Sequence, residues 1–364
     1  MKKLITILMV CAFVFSALGS VAVAERFPRS WLWDTSALKM MDTSKFKKSP
    51  PYVIGFSNAS VSNSWRVYFD LQVRAEAEAQ KDLIKKFYVT DANDKPDKQI
   101  ADVEDLVAKG IDLLIISAAT SAALDPIVTR VSKMGIPVIC VDRRVKSDNF
   151  VSFVNSSNYT QGRFQMLWLC EMLKGKGNIV MLGGFPGAGP AEERIEGGKE
   201  ILAQFPGINL LDLQYANWST AEGKKIMAAM IQSYGDKING VWGDGLQNVG
   251  ALEALNEAGM KVPVTADHLN AFLVKAQELD FPAMSVDFPV SMGSDAVKVA
   301  LKVLNGEPVP FFVDVPRTII TTVDTENVKS DLPWSEMTHK DWPGDAWNNT
   351  LPDKWLPKNK QETK

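Results

Sequence analysis

From Pro51 to Val323 the chain alternates short apolar, β-branched runs with helical stripes, and this rhythm constrains the fold more than any motif. Tyr52 to Phe56 predicts a strand. Asn63 and Ser64 then offer N-caps for a helix carrying Val67, Leu71 and Ala75 on one face. Phe87 to Val89 is a second strand. Ile100, Val103, Leu106 and Val107 form a stripe stopped by Gly110. Ile111 to Ile116 predicts a buried strand, and Asp125-Pro126 opens a helix that stops at Gly135. Ile136 to Val141 is a further strand, followed by a short one at Phe150 to Val154.

The second half repeats the pattern. Helices are expected at 160–173, after Pro190, at 220–231, around Leu252 and Leu255, at 271–279 and at 294–304. Strands are expected at 179–182, 208–213, 238–242, 262–266 and 283–286, with extended chain from Phe311 to Val323. Such alternation means parallel sheets covered by helices on both faces. Ten or so strands are too many for one comfortable sheet, so two doubly wound α/β domains are predicted.

The ends do not follow this rhythm. Lys2 and Lys3 precede an apolar run, Leu4 to Leu18, and Ala22-Val23-Ala24 is a small-residue cleavage site. The run is short for a membrane span. A cleaved leader at 1–24 and a periplasmic location are therefore expected. Val10 before Cys11 is too large for the usual lipobox, which argues against a lipid anchor. Glu25 to Pro50 holds Trp31 and Trp33. Residues 331–364 hold Trp334, Trp342, Trp347 and Trp355 among several prolines. Tryptophan in irregular chain usually packs onto a body, so both ends are expected to wrap the domains. A partner surface is the other reading.

The full sequence carries 40 Lys plus Arg against 43 Asp plus Glu. Loss of the leader removes two lysines and no acids. An exported, mildly acidic chain is not built for nucleic acid or anionic lipid. Beyond Cys11 in the leader there are Cys140 and Cys170, both expected as core thiols.

In open α/β sheets, ligands bind beyond the carboxyl ends of the strands. The residues there are unusually consistent. The strand ending at Val141 runs straight into Asp142-Arg143, an acceptor-only group beside a planar fork of donors. Alone, that pair also reads as a solvated surface turn. Other strand ends, however, carry Ser57, Asn63, Trp65 and Arg66, then Arg194 after the turn Gly183 to Gly189. They also carry Trp218, Asp244, Asp267 and Asp287. Acids, arginines and tryptophans thus recur at one rim of both halves.

At these positions, over roughly Pro51 to Thr325, the chain resembles the periplasmic sugar-binding proteins of the ribose-binding type (type I), the soluble receptors of bacterial ABC importers. The matching stretches are Ser57 with Asn63-Ser64-Trp65-Arg66, and Asp142-Arg143 after a Pro-Val strand. Further matches are Arg194, the aromatic Trp218, Asp244 ahead of Gly250-Ala251-Leu252, then Asp267 and Asp287. The resemblance implies a ligand held between two hinged lobes, with hinge strands crossing near Asn155, Asp287 and Asp314. It implies lobes at 51–155 plus 288–314 and at 156–287 plus 315–330, flanked by extensions at 25–50 and 331–364. It also implies a monomer that delivers a small sugar or sugar alcohol to a membrane permease, without cofactor or catalysis. Asp carboxylates accept from hydroxyls, Arg donates to oxygens, and Trp65 and Trp218 can cover apolar C–H faces. Core packing is the plainer role for both tryptophans.

Three departures stand out. Arg66 takes the place of a second aromatic, and Asp244 and Asp287 stand where amides are common. Arg66 could hold the carboxylate of a sugar acid or simply pair with an Asp. Among other readings, the glycine-rich turn does not spell a dinucleotide fingerprint. His268 and His339 suggest neither a metal cluster nor a triad. A leader occupies the place of a repressor's DNA-binding head. A receptor presenting a sugar-like or sugar-acid signal to a membrane sensor would carry an identical pocket.

Overall fold

The computed structural model describes residues 39–337. The leader, Trp31, Trp33, His339, Trp342, Trp347 and Trp355 lie outside the described residues.

The chain opens with β1 (Met40–Met41), β2 (Tyr52–Asn58), α1 (Ser64–Ala79), β3 (Ile84–Asp91) and α2 (Pro96–Ala108). It continues with β4 (Leu113–Ile116), α3 (Asp125–Lys133), β5 (Val138–Val141), β6 (Ser152–Asn155) and α4 (Asn158–Met172). Then come β7 (Gly177–Gly183), α5 (Gly189–Leu202), β8 (Ile208–Tyr215), α6 (Thr220–Tyr234) and β9 (Gly240–Gly243). Next are α7 (Gln247–Glu257), β10 (Val264–Asp267), α8 (Asn270–Glu278), β11 (Ala283–Val286) and α9 (Met292–Asn305). The last are β12 (Val309–Pro310), β13 (Phe312–Asp314), β14 (Ile319–Thr321) and α10 (Trp334–Met337).

Two six-stranded sheets result, ordered β13-β6-β5-β4-β2-β3 and β14-β11-β10-β9-β7-β8. The chain is therefore two doubly wound α/β lobes. In each, the strand order reverses at one point, between β2 and β4 in the first and between β7 and β9 in the second. Helices leave opposite faces of the sheet there, which opens a crevice at the strand ends. The chain passes between the sheets after Asn155, after Val286 and after Asp314. The first sheet is parallel throughout. The second departs from the expected parallel arrangement at one edge, where β14 runs antiparallel to β11. β14 enters from the hinge, the end at which β11 finishes, and follows β13 directly, with no helix between them to carry the chain back.

The buried face of α1 differs from the expected one. Val67 is 36% exposed, whereas Trp65, Phe69 and Val73 are buried. Trp65 stacks on Phe69 at 5.1 Å, and Phe69 meets Phe56 of β2 edge-on. Two aromatic rings bury more apolar area than the Val67–Leu71–Ala75 stripe, and they set the rotation of the helix.

The described parts of both ends pack onto the lobes. β1 pairs with β12, and the Lys48 amide donates to Leu304 O. Trp334 is buried, and its indole N–H donates to Leu273 O. Cys140 and Cys170 are free and fully buried, in different lobes; burial pushes both thiols up to about 12.

Candidate functional site

On the first lobe, β5 delivers Asp142 and Arg143 through a tight turn. Asp142 adopts left-handed backbone (φ 60°), and the Arg143 amide donates to Val141 O at 2.6 Å. A non-glycine residue in this conformation costs energy and persists only where its surroundings hold it. They do so here: the Asp142 amide donates to Val154 O, and its Oδ2 accepts from Arg66 Nη1 and from Ser117 Oγ at 3.0 Å. Arg66 reaches that position because Asn63 caps α1, accepting from the Arg66 amide at 3.0 Å. Trp65, one residue earlier, donates from Nε1 to Phe288 O at 2.8 Å and lies 5.3 Å from the Phe288 ring.

Arg143 is less committed. Its Nη1 is 3.6 Å from Asp94, and its Nε is 3.7 Å from Asp142 without a hydrogen-bond partner among the described residues. Burial, reinforced by the nearby Arg66 charge, pushes its pKa down to about 10. Its guanidinium lies over the Trp218 ring, 5.7 Å from the centroid, so an arginine of one lobe meets an aromatic of the other.

On the second lobe, Arg194 is the organiser. It is 2% exposed; its Nε donates to Asn158 Oδ1 at 3.0 Å, and its Nη1 donates to Asp244 O at 2.6 Å and Asp267 Oδ2 at 3.2 Å. A Cβ at Gly162 would sit 1.9 Å from Arg194 O, so glycine lets α4 press against α5 at this point. Gly184 plays the same part under Trp218, whose ring would lie 2.1 Å from a Cβ there. Asp267 Oδ1 accepts from Gln161 Nε2. Burial pushes Asp267 up to about 7, with Arg194 opposing and the charge of Asp244 adding to the rise. Asp244 is pushed up to about 6 by burial, and Asp287 to about 7 by burial and then by Asp267. His268 is held neutral by burial, its pKa lowered to about 3, with Nδ1 3.9 Å from Asp287.

Several of these groups surround a cavity between the lobes. Of the residues expected from sequence, Asn63, Trp65, Arg66, Asp142, Arg143, Arg194, Trp218 and Asp267 line it. Ser57, Asp244 and Asp287 do not. Ser57 lies within β2 and accepts from Gln99, a strut below the wall. Asp244 is fully buried and accepts from Gln247 at 2.6 Å, behind Arg194. Asp287 sits at the chain crossing after β11, beside Arg317 and His268. Phe288, Pro190 and Leu246 complete the wall and were not foreseen. Phe288 adjoins a rim acid, which is a readable signal. Leu246 has none, because an apolar residue in a loop resembles any other. Asn58 and Ser117 were also overlooked, although each stands at the end of a buried strand.

Residues 54–308 match the family profile described as a periplasmic binding protein domain. The chain belongs to that family. It is 28% identical to the ribose import binding protein of Bacillus subtilis (strain 168), over 74% of this chain and 87% of that one. It is 30% identical to the xylitol-binding protein of Mycolicibacterium smegmatis, over 60% of this chain and 63% of the relative. Among solved structures, a Bacillus halodurans ABC transporter solute-binding protein with bound myo-inositol is 26% identical. Its TM-score is 0.69, over 75% of this chain and 96% of that one. The fructose-binding periplasmic domain of a hybrid two-component system is 28% identical, with a TM-score of 0.68 over 74% and 91%.

Proposed function

We propose that this protein is the extracytoplasmic solute-binding component of an ABC importer, exported by its 1–24 leader. It captures one small sugar or sugar alcohol between lobes 51–155 plus 288–314 and 156–287 plus 315–330. It hands that ligand to a membrane permease and performs no catalysis. One observation carries the reading: carboxylates and guanidiniums from two lobes converge with two tryptophans on a single small cavity. Convergent charged groups with aromatic walls are the lining a small polyhydroxylated guest requires. Hydroxyls can donate to Asp142 and Asp267 and accept from Arg143, while Trp65 and Trp218 cover C–H faces. Asp244 and Asp287 act behind these contacts. Ligand shifts a hinge equilibrium toward the closed arrangement, since only that state offers both rims at once.

Ribose, xylitol and myo-inositol are named for its relatives, and they make the natural first probes. A thermal-shift screen of these with fructose, tetritols and other pentitols, followed by calorimetry, is expected to give one-to-one binding. No binding of any of them, or chemical conversion of a bound one, would remove the reading. The similarity to a fructose-binding domain of a two-component system supports a second reading, a receptor that presents its ligand to a membrane sensor. Pull-down with the closed, ligand-bound protein separates the two by recovering either a permease or a sensor kinase.

A further inference from the structure

Arg66 is the obvious departure at the site, and its free donors decide what the cavity accepts. A guanidinium has five N–H groups. Nε donates to Ser60 O at 3.0 Å, and the two on Nη2 go to Asn58 Oδ1 at 2.7 Å and Ser117 Oγ at 3.0 Å. Nη1 donates to Asp142 Oδ2. At most one N–H, on Nη1, is left for a ligand. The side chain is 2% exposed and packs near the rings of Trp65 and Phe69, and these partners together hold its orientation.

Ser117 is the pivot. Its hydroxyl accepts from Arg66 and donates to the same Asp142 oxygen that Arg66 holds. Its loop is fixed by a bond from its amide to Ser57 O and another from Gln99 to its carbonyl. Asn58 closes the other side, donating from Nδ2 to Asp70, which in turn pairs with Arg74. Both residues are fully buried.

We propose that Ser117 and Asn58 are positioning residues: they commit Arg66 to the protein's own Asp142 and thereby make the site select neutral polyols over sugar acids. The proposal rests on the ligand-binding reading above and deepens it. A carboxylate is held well by two parallel N–H groups. Arg66 has no such pair to give, and Asp142 beside it repels a second anion. Arg143 keeps an open Nε, but Asp142 and Asp94 already lie within 4 Å of its fork. Asp142 Oδ2 is occupied twice, so Oδ1 is the oxygen that remains for a ligand hydroxyl.

Calorimetry on the mature protein with D-ribose, xylitol, myo-inositol and D-xylonate tests this. The parent is expected to bind at least one neutral probe and to bind D-xylonate at least tenfold more weakly. Ser117→Ala is expected to weaken the neutral probe about tenfold, the worth of a hydrogen bond to a charged group, and Ser117→Thr to restore it to within threefold. Asn58→Ala/Ser117→Ala frees two N–H groups of Arg66 and is expected to narrow the neutral-to-acid preference at least tenfold. Several results would overturn the proposal: tightest parent binding to D-xylonate, equal losses in Ser117→Ala and Ser117→Thr, or an unchanged preference in the double variant. A parent that binds none of the four probes overturns the underlying ligand reading, and this proposal with it.

Discussion

The two rims of the cleft hold their acids in opposite ways. On the first lobe, Asp142 is bound by Arg66 and Ser117 inside a buried network that runs on through Asn58 to Asp70. On the second, three acids crowd around Arg194 and Arg317, and burial raises Asp244, Asp267 and Asp287 to between about 6 and about 7. The contrast is one of donor supply. Where donors are plentiful a buried carboxylate is held in place; where they are scarce its pKa rises, and of the three raised acids Asp267 lines the cavity, where a ligand can complete it. The first rim therefore sets shape and charge selection, and the second sets sensitivity to pH.

Breaking the first rim has the largest expected effect. Asp142→Ala leaves Arg66 as an uncompensated buried cation, and the unfolding free energy should fall by about 3–5 kcal/mol, measured by urea denaturation without ligand. A loss below about 1 kcal/mol would mean that the network is not the fixture described. Arg194→Ala removes the group that ties α5 to Asn158, Asp244 and Asp267. Ligand affinity should drop by about 2–5 kcal/mol. Calorimetry that returned the parental Kd would place the second rim outside the site.

The pH response sharpens the comparison. Folded-state values raised above 3.8 mean that the folded protein binds more protons than the unfolded chain between about pH 4 and 7. Stability without ligand should therefore fall as pH rises through that window, by no more than about 1.4 kcal/mol per pH unit for each acid, with the lowered pKa of His268 offsetting one acid below about 6.5, and level off above about 7. Affinity should move the other way, since ligand hydroxyls donate to ionised carboxylates. Melting temperatures from pH 4.5 to 8 should show the decline, and Asp267→Asn should make it shallower, leaving the share of Asp244 and Asp287. A profile that rises with pH would reverse the assignment. The smallest effect is expected at Trp218→Ala, which removes a ring beneath Arg143 and one wall of the cavity. About 1 kcal/mol of affinity should be lost, with little change in the melting point of the unliganded protein.

Much of this was readable in one dimension. The alternation of patterns implied two doubly wound sheets, and the rule that ligands sit beyond strand ends picked out eight wall residues. The rule failed where a rim residue points into the body of the lobe. Ser57 alternates inward along β2, and Asp244 is turned behind Arg194 by its bond from Gln247. It also overlooked residues whose chemistry is ordinary, such as Leu246, and the small polar side chains Asn58 and Ser117 that act through another residue.

Fold class, rim and the cast of charged groups follow from local patterns, because periodicity and strand-end position are local properties of a chain. How those groups pair follows from packing alone. Arg66 and Asp142 are 76 residues apart, and they meet because the strand order reverses beside β2 and brings the loops after β2, β4 and β5 together. A guanidinium offers the same five donors wherever it stands. Whether they serve a ligand or the protein itself depends on which acceptors lie within 3 Å, and no spacing along the chain encodes that distance.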